Sequence, residues 1–599
     1  MPLVSQKERH NRALELPEII SGGLVLLVTL WLLCFQKISQ ETAAEEFFRT
    51  QAFFRVLVSL VGAHAAMVVA HAVHELWLRR SLGRMLWLQL AVVLAAAVLF
   101  GAVLYNPLTG ACLFWPLVLA VLGISSFSLV RMGMYMRARR QSPVRGRAGS
   151  WSPSVTFFSY MLVFVVVSTL LLLTPGATHH PISFTQALFT CASASSITGL
   201  TCVNVAETFT PLGKSILLID IQVGAVGVMT FTYFVLMMLG RRLAVRDSMN
   251  MSGVLDQQGV NVVPALLKAV FGVTLTAELA GAACLYFLWR GEPGIPQDHL
   301  WAYALFHSVS AFCNAGITLF PAGMSHVGVA GNYAAQGVMM ALIIAGTLGF
   351  GVYLEGIQRV RARLAGKKPS KRWSTHSWLV MRVTLIVMLA GTVAYALLGA
   401  FEPSVHTTGV AHNTWEAAWN AVSRSAGFNL TDIDAYGPVY KAFMCLMMFV
   451  GGNPAGTGGG VFAPVVCLCV LEVWRVLRGA QDVEIHQRRI SRVTIERAMA
   501  TVVLSIIWIV FTTMLLLLLE PEIAASDKGF LKALFLEVSA YTTTGYDLDM
   551  ATHLSPLSRL LITANMLFGR VGMFTFMLIF IKQRDPAPMR FPETRLPLS

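Results

Sequence analysis

Four segments of this 599-residue chain are apolar yet too short to cross a bilayer, and each stops at a polar strip built on a glycine. They read "FTQALFTCASASSITGLT", "YALFHSVSAFCNAGITLF", "WEAAWNAVSRSAGFNLTD" and "LKALFLEVSAYTTTGYDLD". Aligned on one glycine, they place Gly199, Gly316, Gly427 and Gly545 at separations of 117, 111 and 118 residues. A fixed period with a shared local pattern marks an internal repeat. A full span needs about 20 apolar residues, so segments of about 10–14 read as re-entrant. Non-helical backbone at membrane depth persists only where protein or a water-filled cavity surrounds it. One strip alone would read as an outer loop with a glycine turn. Four at near-equal spacing are able to meet around one axis. The third copy aligns unevenly: Ser193, Ser310 and Ser539 stand six residues before their glycine, whereas Ser423 stands four before.

The rest of the chain supplies a membrane setting. Apolar residues make up 56% and charged residues only 13%, about half the charge of a soluble domain. Twelve candidate spans are read at 17–35, 52–77, 84–105, 109–131, 155–174, 213–240, 264–290, 333–360, 377–400, 439–475, 499–520 and 556–582. The net charge of +14 collects in short loops: Arg79, Arg80 and Arg84; Arg131, Arg137, Arg139 and Arg140; Arg241, Arg242 and Arg246. It recurs at Arg359, Arg361, Arg363, Lys367 and Lys368; at Arg488, Arg489 and Arg492; and at Lys582 and Arg584. Each cluster follows an even-numbered span, which places both termini in the cytoplasm. That distribution fits membrane loops facing lipid headgroups, not a nucleic-acid face. Nine cysteines stand singly, without metal spacing, and read as reduced helix residues. No cleavable signal segment is expected before the first span.

The strips suggest a chemistry. Glycine permits positive φ and lets carbonyls turn inward, and a ring of carbonyl oxygens replaces the water shell of a monovalent cation. Each short helix would aim the negative end of its dipole at that ion. A second glycine stretch, "GGNPAGTGGGV" at 451–461, interrupts the long run 439–475. Its glycines break a helix at about 1 kcal/mol each relative to alanine. "GTGGG" lacks the lysine ending and βαβ setting of a phosphate loop.

At this point the chain resembles the Trk/Ktr/HKT superfamily of cation transporters. The four strips carry the resemblance, with "IQVGAVGVMTF" (221–231), "IIAGTLGFGV" (343–352), the 451–461 stretch and "FGRVGMFTF" (568–576). It covers residues 155–582. The resemblance implies an all-α polytopic membrane protein with four span–pore-helix–span repeats around one pore, plus four N-terminal accessory spans. The divisions are 1–150, 151–250, 251–372, 373–495 and 496–599. It implies a potassium filter at Thr198, Gly199, Ala315, Gly316, Ala426, Gly427, Thr544 and Gly545, with Asn314 also lending a carbonyl. Glycine at all four central positions goes with potassium preference in the family, and serine at the first with sodium permeation. It implies a gate at Gly451, Gly452, Asn453, Gly456, Thr457, Gly458, Gly459 and Gly460, with Arg570 either a positive barrier in the pore or a partner of that loop. Asn453 and Pro454 depart from the small residues usual there, and Pro454 would stiffen the loop.

The expected function is potassium uptake across the inner or plasma membrane. It would be driven by the membrane potential, with or without symport of another cation. Potassium is substrate, and no cofactor is expected in this chain. Expected partners are a second copy and a cytoplasmic ring of nucleotide-binding subunits. A sodium-permeable or sodium-coupled transporter is the alternative. A membrane-embedded enzyme would need an acid or histidine cluster, which only His64, His71, His74 and Glu75 in the second span offer; those also read as helix packing. Glu278, Asp220 and Asp547 stay ambiguous between structural and functional roles.

Overall fold

The computed structural model describes residues 153–227, 263–366, 373–401, 409–485, 488–526 and 528–572. The accessory spans, His64, His71, His74, Glu75, the first three basic clusters and Lys367, Lys368, Lys582 and Arg584 lie outside the described residues. By its internal contacts the chain divides into two compact units, and the fold described here lies in the second, residues 151–173 and 178–599.

A long helix, a short helix, a glycine strip and a further helix recur along this unit. The first set is α1 (Pro153–Leu172), α2 (Phe184–Ser196) and α3 (Pro211–Val226). The second is α4 (Val263–Leu288), α5 (Leu300–Phe312), α6 (Tyr333–Thr347) and α7 (Phe350–Leu364). The third is α8 (Thr375–Gly399), α9 (Val410–Ser423), α10 (Pro438–Phe449) and α11 (Ala463–Leu477). The fourth is α12 (Arg492–Leu519), α13 (Gly529–Tyr541) and α14 (Pro556–Val571). Among the described residues one small ladder, β1 (Glu484–Ile485) with β2 (Arg488–Arg489), departs from the all-helical expectation.

Helix starts follow the sequence. Thr210 and Ser555 each cap a helix whose first residue is proline, which needs no amide partner there. Ser183 forms a capping box with Gln186 at the start of α2. From Ala269 on, α4 is long and apolar enough to cross a membrane, as are α8 and α12. Along α8, Leu385, Leu389, Val393 and Leu397 face outward at every fourth position, while Val380, Thr384, Met388 and Tyr395 are buried. An outward stripe of that kind suits lipid, which is as apolar as leucine.

Two expected spans are broken. The run 439–475 divides into α10 and α11 around its glycines, as expected. The run 333–360, expected to be one span, is α6 and α7 meeting at 94°. The cause is local. Gly349 sits at φ 82°, and the amide of Phe350 donates to the carbonyl of Ala455 at 2.9 Å. In a continuous helix it would bond Gly346. The Gly346 carbonyl instead accepts from the amide of Thr457 at 3.0 Å. The 451–461 stretch thus supplies both missing partners of the broken helix.

The same break recurs as a GxxG spacing at 224/227, 346/349 and 569/572. The second glycines, Gly227, Gly349 and Gly572, end their helices at φ 83°, 82° and 85°. The first glycines press on the short helix of their own set. A Cβ on Gly224, Gly346 or Gly569 would stand 2.1, 1.8 or 1.8 Å from the carbonyl oxygen of Ser195, Phe312 or Tyr541. Each of those carbonyls lies four residues before its strip glycine. Replacing Gly346 with alanine is therefore expected to destabilise the fold by more than about 2 kcal/mol. Gly272, on α4, has open space within 4 Å, and Gly272→Ala is expected to be neutral or slightly stabilising. Thermal unfolding of the detergent-purified variants checks this; equal melting temperatures for the two would contradict the close-contact account.

Candidate functional site: a closed ring of glycine strips above a buried loop

The four short helices bring their strips together. Gly199, Gly316, Gly427 and Gly545 have φ of 91°, 68°, 70° and 98°, a region that side-chain-bearing residues seldom occupy. Their neighbours forbid a side chain as well. A Cβ on Gly199 would lie 2.5 Å from the carbonyl oxygen of Ala315, and one on Gly316 would lie 2.3 Å from that of Ala426. A Cβ on Gly427 would lie 2.1 Å from the Thr544 oxygen, and one on Gly545 would lie 2.0 Å from that of Thr198. Each glycine meets the residue preceding the next glycine, and the fourth meets the first, so the contacts close on themselves. All eight residues named from the sequence are brought to one place.

Strips one, two and four wind alike. The amides of Thr198, Ala315 and Thr544 bond the carbonyls of Ser193, Ser310 and Ser539 at 2.8, 2.8 and 2.9 Å, the 6→1 bond that ends many helices. The third strip winds more tightly: the amides of Ala426 and Gly427 both bond the carbonyl of Ser423 at 2.8 Å. This explains the uneven serine. Ser310 Oγ donates to the carbonyl of Ile317, one residue past its glycine, at 2.7 Å. Ser423 Oγ, though only four residues back, donates to the equivalent carbonyl of Phe428 at 2.7 Å.

Between α10 and α11 the glycine stretch forms a folded loop. The amides of Gly451 and Gly452 bond the carbonyls of Val461 and Gly459, both at 2.9 Å. Asn453 and Thr457 are buried. Asn453 Nδ2 donates to the carbonyl of Thr347 at 3.0 Å and to Thr384 Oγ1 at 2.8 Å. A Cβ on Gly459 would lie 1.7 Å from Thr543 Oγ1, so the loop touches the fourth strip. Gly456 lies against the carbonyl of Thr347, and Gly458 and Gly460 against Gly452 and Gly451 of the same loop. Arg570 reaches across from α14: Nη1 donates to the Thr457 carbonyl at 2.8 Å, and Nη2 to the carbonyls of Gly224 and Ala225 at 3.0 and 3.4 Å. It ties the loop to the end of α3.

The ambiguous acids have partners. Asp220 Oδ1 accepts from Ser168 Oγ of α1 at 2.6 Å. The Glu278 carboxylate accepts from Cys313 Sγ, just past α5, at 3.5 Å. Asp547 is partly exposed, and its carboxylate accepts the amides of Met550 and Ala551, both at 3.1 Å. Sequence reasoning missed four buried charged residues, Glu416, Arg424, Lys441 and Glu537. Glu416 accepts from Thr431 and Tyr436, and Glu537 from Asn565. Arg424, in the third strip, is almost wholly buried, and its Nε and Nη1 have no hydrogen-bond partner among the described residues. No periodicity marks such residues; the one signal was a charge within an otherwise apolar short helix or strip.

With this geometry in view, known proteins place the chain. The TrkH family pattern, described as a cation transport protein, matches residues 125–589. The chain belongs to the TrkH family of cation transport proteins. It is a membrane transport protein and not an enzyme. The Ktr system potassium uptake protein B of Vibrio alginolyticus is 29% identical to it, over 75% of this chain and 95% of that one. The protein of the same name from Bacillus subtilis is 30% identical, over 74% and 95%. The crystal structure of the potassium transporter TrkH from Vibrio parahaemolyticus shares the fold at a TM-score of 0.59, with 17% identity, over 83% of this chain and 97% of that one.

Outside the ring, Asp434 links the third and fourth sets of helices of this TrkH-family chain. Lys441 Nζ lies 2.7 Å from its Oδ1 and Lys532 Nζ 3.4 Å from its Oδ2. The Lys441 hydrogen bond, with both lysine charges, holds the carboxyl below its ordinary value of 3.8. A depressed carboxylate contributes stability above its unfolded pKa, and that contribution is lost as pH falls through the folded value. The Asp434→Asn variant is expected to be less stable than the parent at pH 7, by under about 1 kcal/mol because the Asp434 carboxyl is largely exposed to solvent. The gap should shrink as pH falls from 3.8 through the depressed folded value. A difference in melting temperature that persists at low pH would contradict this.

Proposed function

We propose that this chain takes up potassium across the cell membrane by channel-like passage through the ring of strips, with the 451–461 loop as its gate. The observation that carries the reading is the cyclic contact of each glycine with the carbonyl before the next. Four strips in such contact bring the carbonyls of Thr198, Gly199, Ala315, Gly316, Ala426, Gly427, Thr544 and Gly545 around one axis, where they would take the place of a potassium ion's water shell. The short helices would direct their negative ends to the same ion. Names of relatives support the substrate: both Ktr relatives are called potassium uptake proteins.

In this reading the loop, held by Arg570 and by the broken end of α6, closes the path below the strips. Opening requires the Arg570 contacts with the Thr457 carbonyl to part. The four repeats divide at 151–250, 251–372, 373–495 and 496–599. Both termini face the cytoplasm, a second copy completes the transporter, and a nucleotide-binding ring docks on the cytoplasmic side. A sodium-permeable alternative draws on one relative, the potassium/sodium uptake protein NtpJ of Enterococcus hirae, 24% identical over 77% of this chain.

Ion flux into liposomes separates these. Gly199→Ser places a side chain against the Ala315 carbonyl and is expected to lower the potassium-over-sodium flux ratio about tenfold, equivalent to about 1.4 kcal/mol. Gly331→Ser, at a position with open space, is expected to leave the ratio unchanged. A parent protein that passes sodium as readily as potassium would contradict the potassium reading. An unchanged ratio in Gly199→Ser would contradict the filter.

A further inference from the structure

Two residues before the strip glycines stand Ile197, Asn314, Ser425 and Thr543. Three of them are left-handed, with φ 60° at Ile197, 59° at Asn314 and 50° at Thr543. Of these residue types only asparagine favours that geometry. Its side chain does more than ease the turn. Asn314 is fully buried. Its Nδ2 donates to Thr457 Oγ1 of the loop at 2.7 Å, and lies 3.3 and 3.4 Å from the carbonyls of Phe312 and Ile343. Its Oδ1 accepts from Ser425 Oγ of the third strip at 3.2 Å and from Thr347 Oγ1 of α6 at 3.4 Å. One amide therefore joins two strips, the broken end of α6 and the loop.

Thr457 answers from the other side. Its hydroxyl accepts from Asn314 and donates to the carbonyl of Phe312, the last residue of α5, at 3.0 Å. Its backbone carbonyl is held separately by Arg570. The hydroxyl is thus committed to the second strip and the carbonyl to the tether, so the two can be severed independently.

We infer that Asn314 is a positioning residue for the second and third strips, and that docking of the Thr457 hydroxyl on it makes ion discrimination depend on the position of the loop. The inference rests on the proposed filter and gate. When the loop leaves, the buried amide loses its shortest bond. A poorly paired buried donor is costly, so the amide turns toward its remaining acceptors, the carbonyls of Phe312 and Ile343 at 3.3 and 3.4 Å. Ser425 and Thr347, bonded to its oxygen, move with it, and the carbonyls of Asn314, Ala315 and Ala426 shift. Linkage is reciprocal: an ion that favours the docked strips also holds the loop in place.

The test measures potassium and sodium flux through the full chain in liposomes. Thr457→Val removes the hydroxyl and keeps the carbonyl that Arg570 holds. It is expected to change the potassium/sodium flux ratio roughly three- to tenfold, the effect of one hydrogen bond. Thr457→Ser should restore the parental ratio. Asn314→Ala combined with Thr457→Val should shift the ratio no further than Asn314→Ala alone. If Thr457→Val fails to assemble, Ser425→Ala cuts the bond between the Asn314 amide oxygen and the third strip and should move the ratio likewise. Equal changes in both fluxes with an unaltered ratio would overturn the inference. If Gly199→Ser alters the ratio while Thr457→Val does not, only the coupling is lost. If neither alters it, the filter reading fails.

Discussion

The carbonyl before each strip glycine occupies the space that a side chain would need on its neighbour. Much of the second unit follows from that crowding. Four backbones can approach so closely only if the residue at each contact has no Cβ, and each contact depends on the one before it around the ring. The short helices must then end at one depth. Three of them rest on a glycine of the following helix, at Gly224, Gly346 and Gly569. Three residues further on, that helix breaks at Gly227, Gly349 or Gly572. Close approach therefore runs in two layers, glycine against strip and glycine against short helix.

The third copy departs from this plan, and its departure is where the loop sits. Its strip winds around Ser423 instead of closing with a 6→1 bond. In place of a GxxG break it carries the folded stretch from Gly451 to Val461. That stretch is bound into the second copy by backbone hydrogen bonds, to the fourth by Arg570, and to the strips by Asn314 and close contact with Thr543. The stretch therefore has partners on several sides.

Much of this was legible in the sequence because glycine spacing encodes backbone contact directly. The strip glycines, the break in 439–475 and the odd position of Ser423 were all visible as pattern. The 94° bend at Gly349 was not. Residues 333–360 are apolar throughout the bend, and the bend depends on hydrogen bonds to Ala455 and Thr457 a hundred residues away. The side-chain role of Asn314 was hidden for the same reason. Its strip suggested only a carbonyl lent to the axis, while the partners of its amide come from three other segments. Glu416, Arg424, Lys441 and Glu537 were missed because a lone charge in a short apolar helix or strip carries no periodic signal. The N-terminal 150 residues share no pattern with the repeats, so spacing had nothing to offer there.

The central claim is that four unequal strips form one cation site. A structure determined with rubidium in place of potassium tests it most directly, because rubidium can be located by its anomalous scattering. The account predicts rubidium peaks on the axis of the ring, within reach of the carbonyls of Thr198, Ala315, Ala426 and Thr544 and of the glycines that follow them. Peaks confined to the buried carboxylates of Asp220, Glu278 or Glu537, with none on that axis, would contradict it.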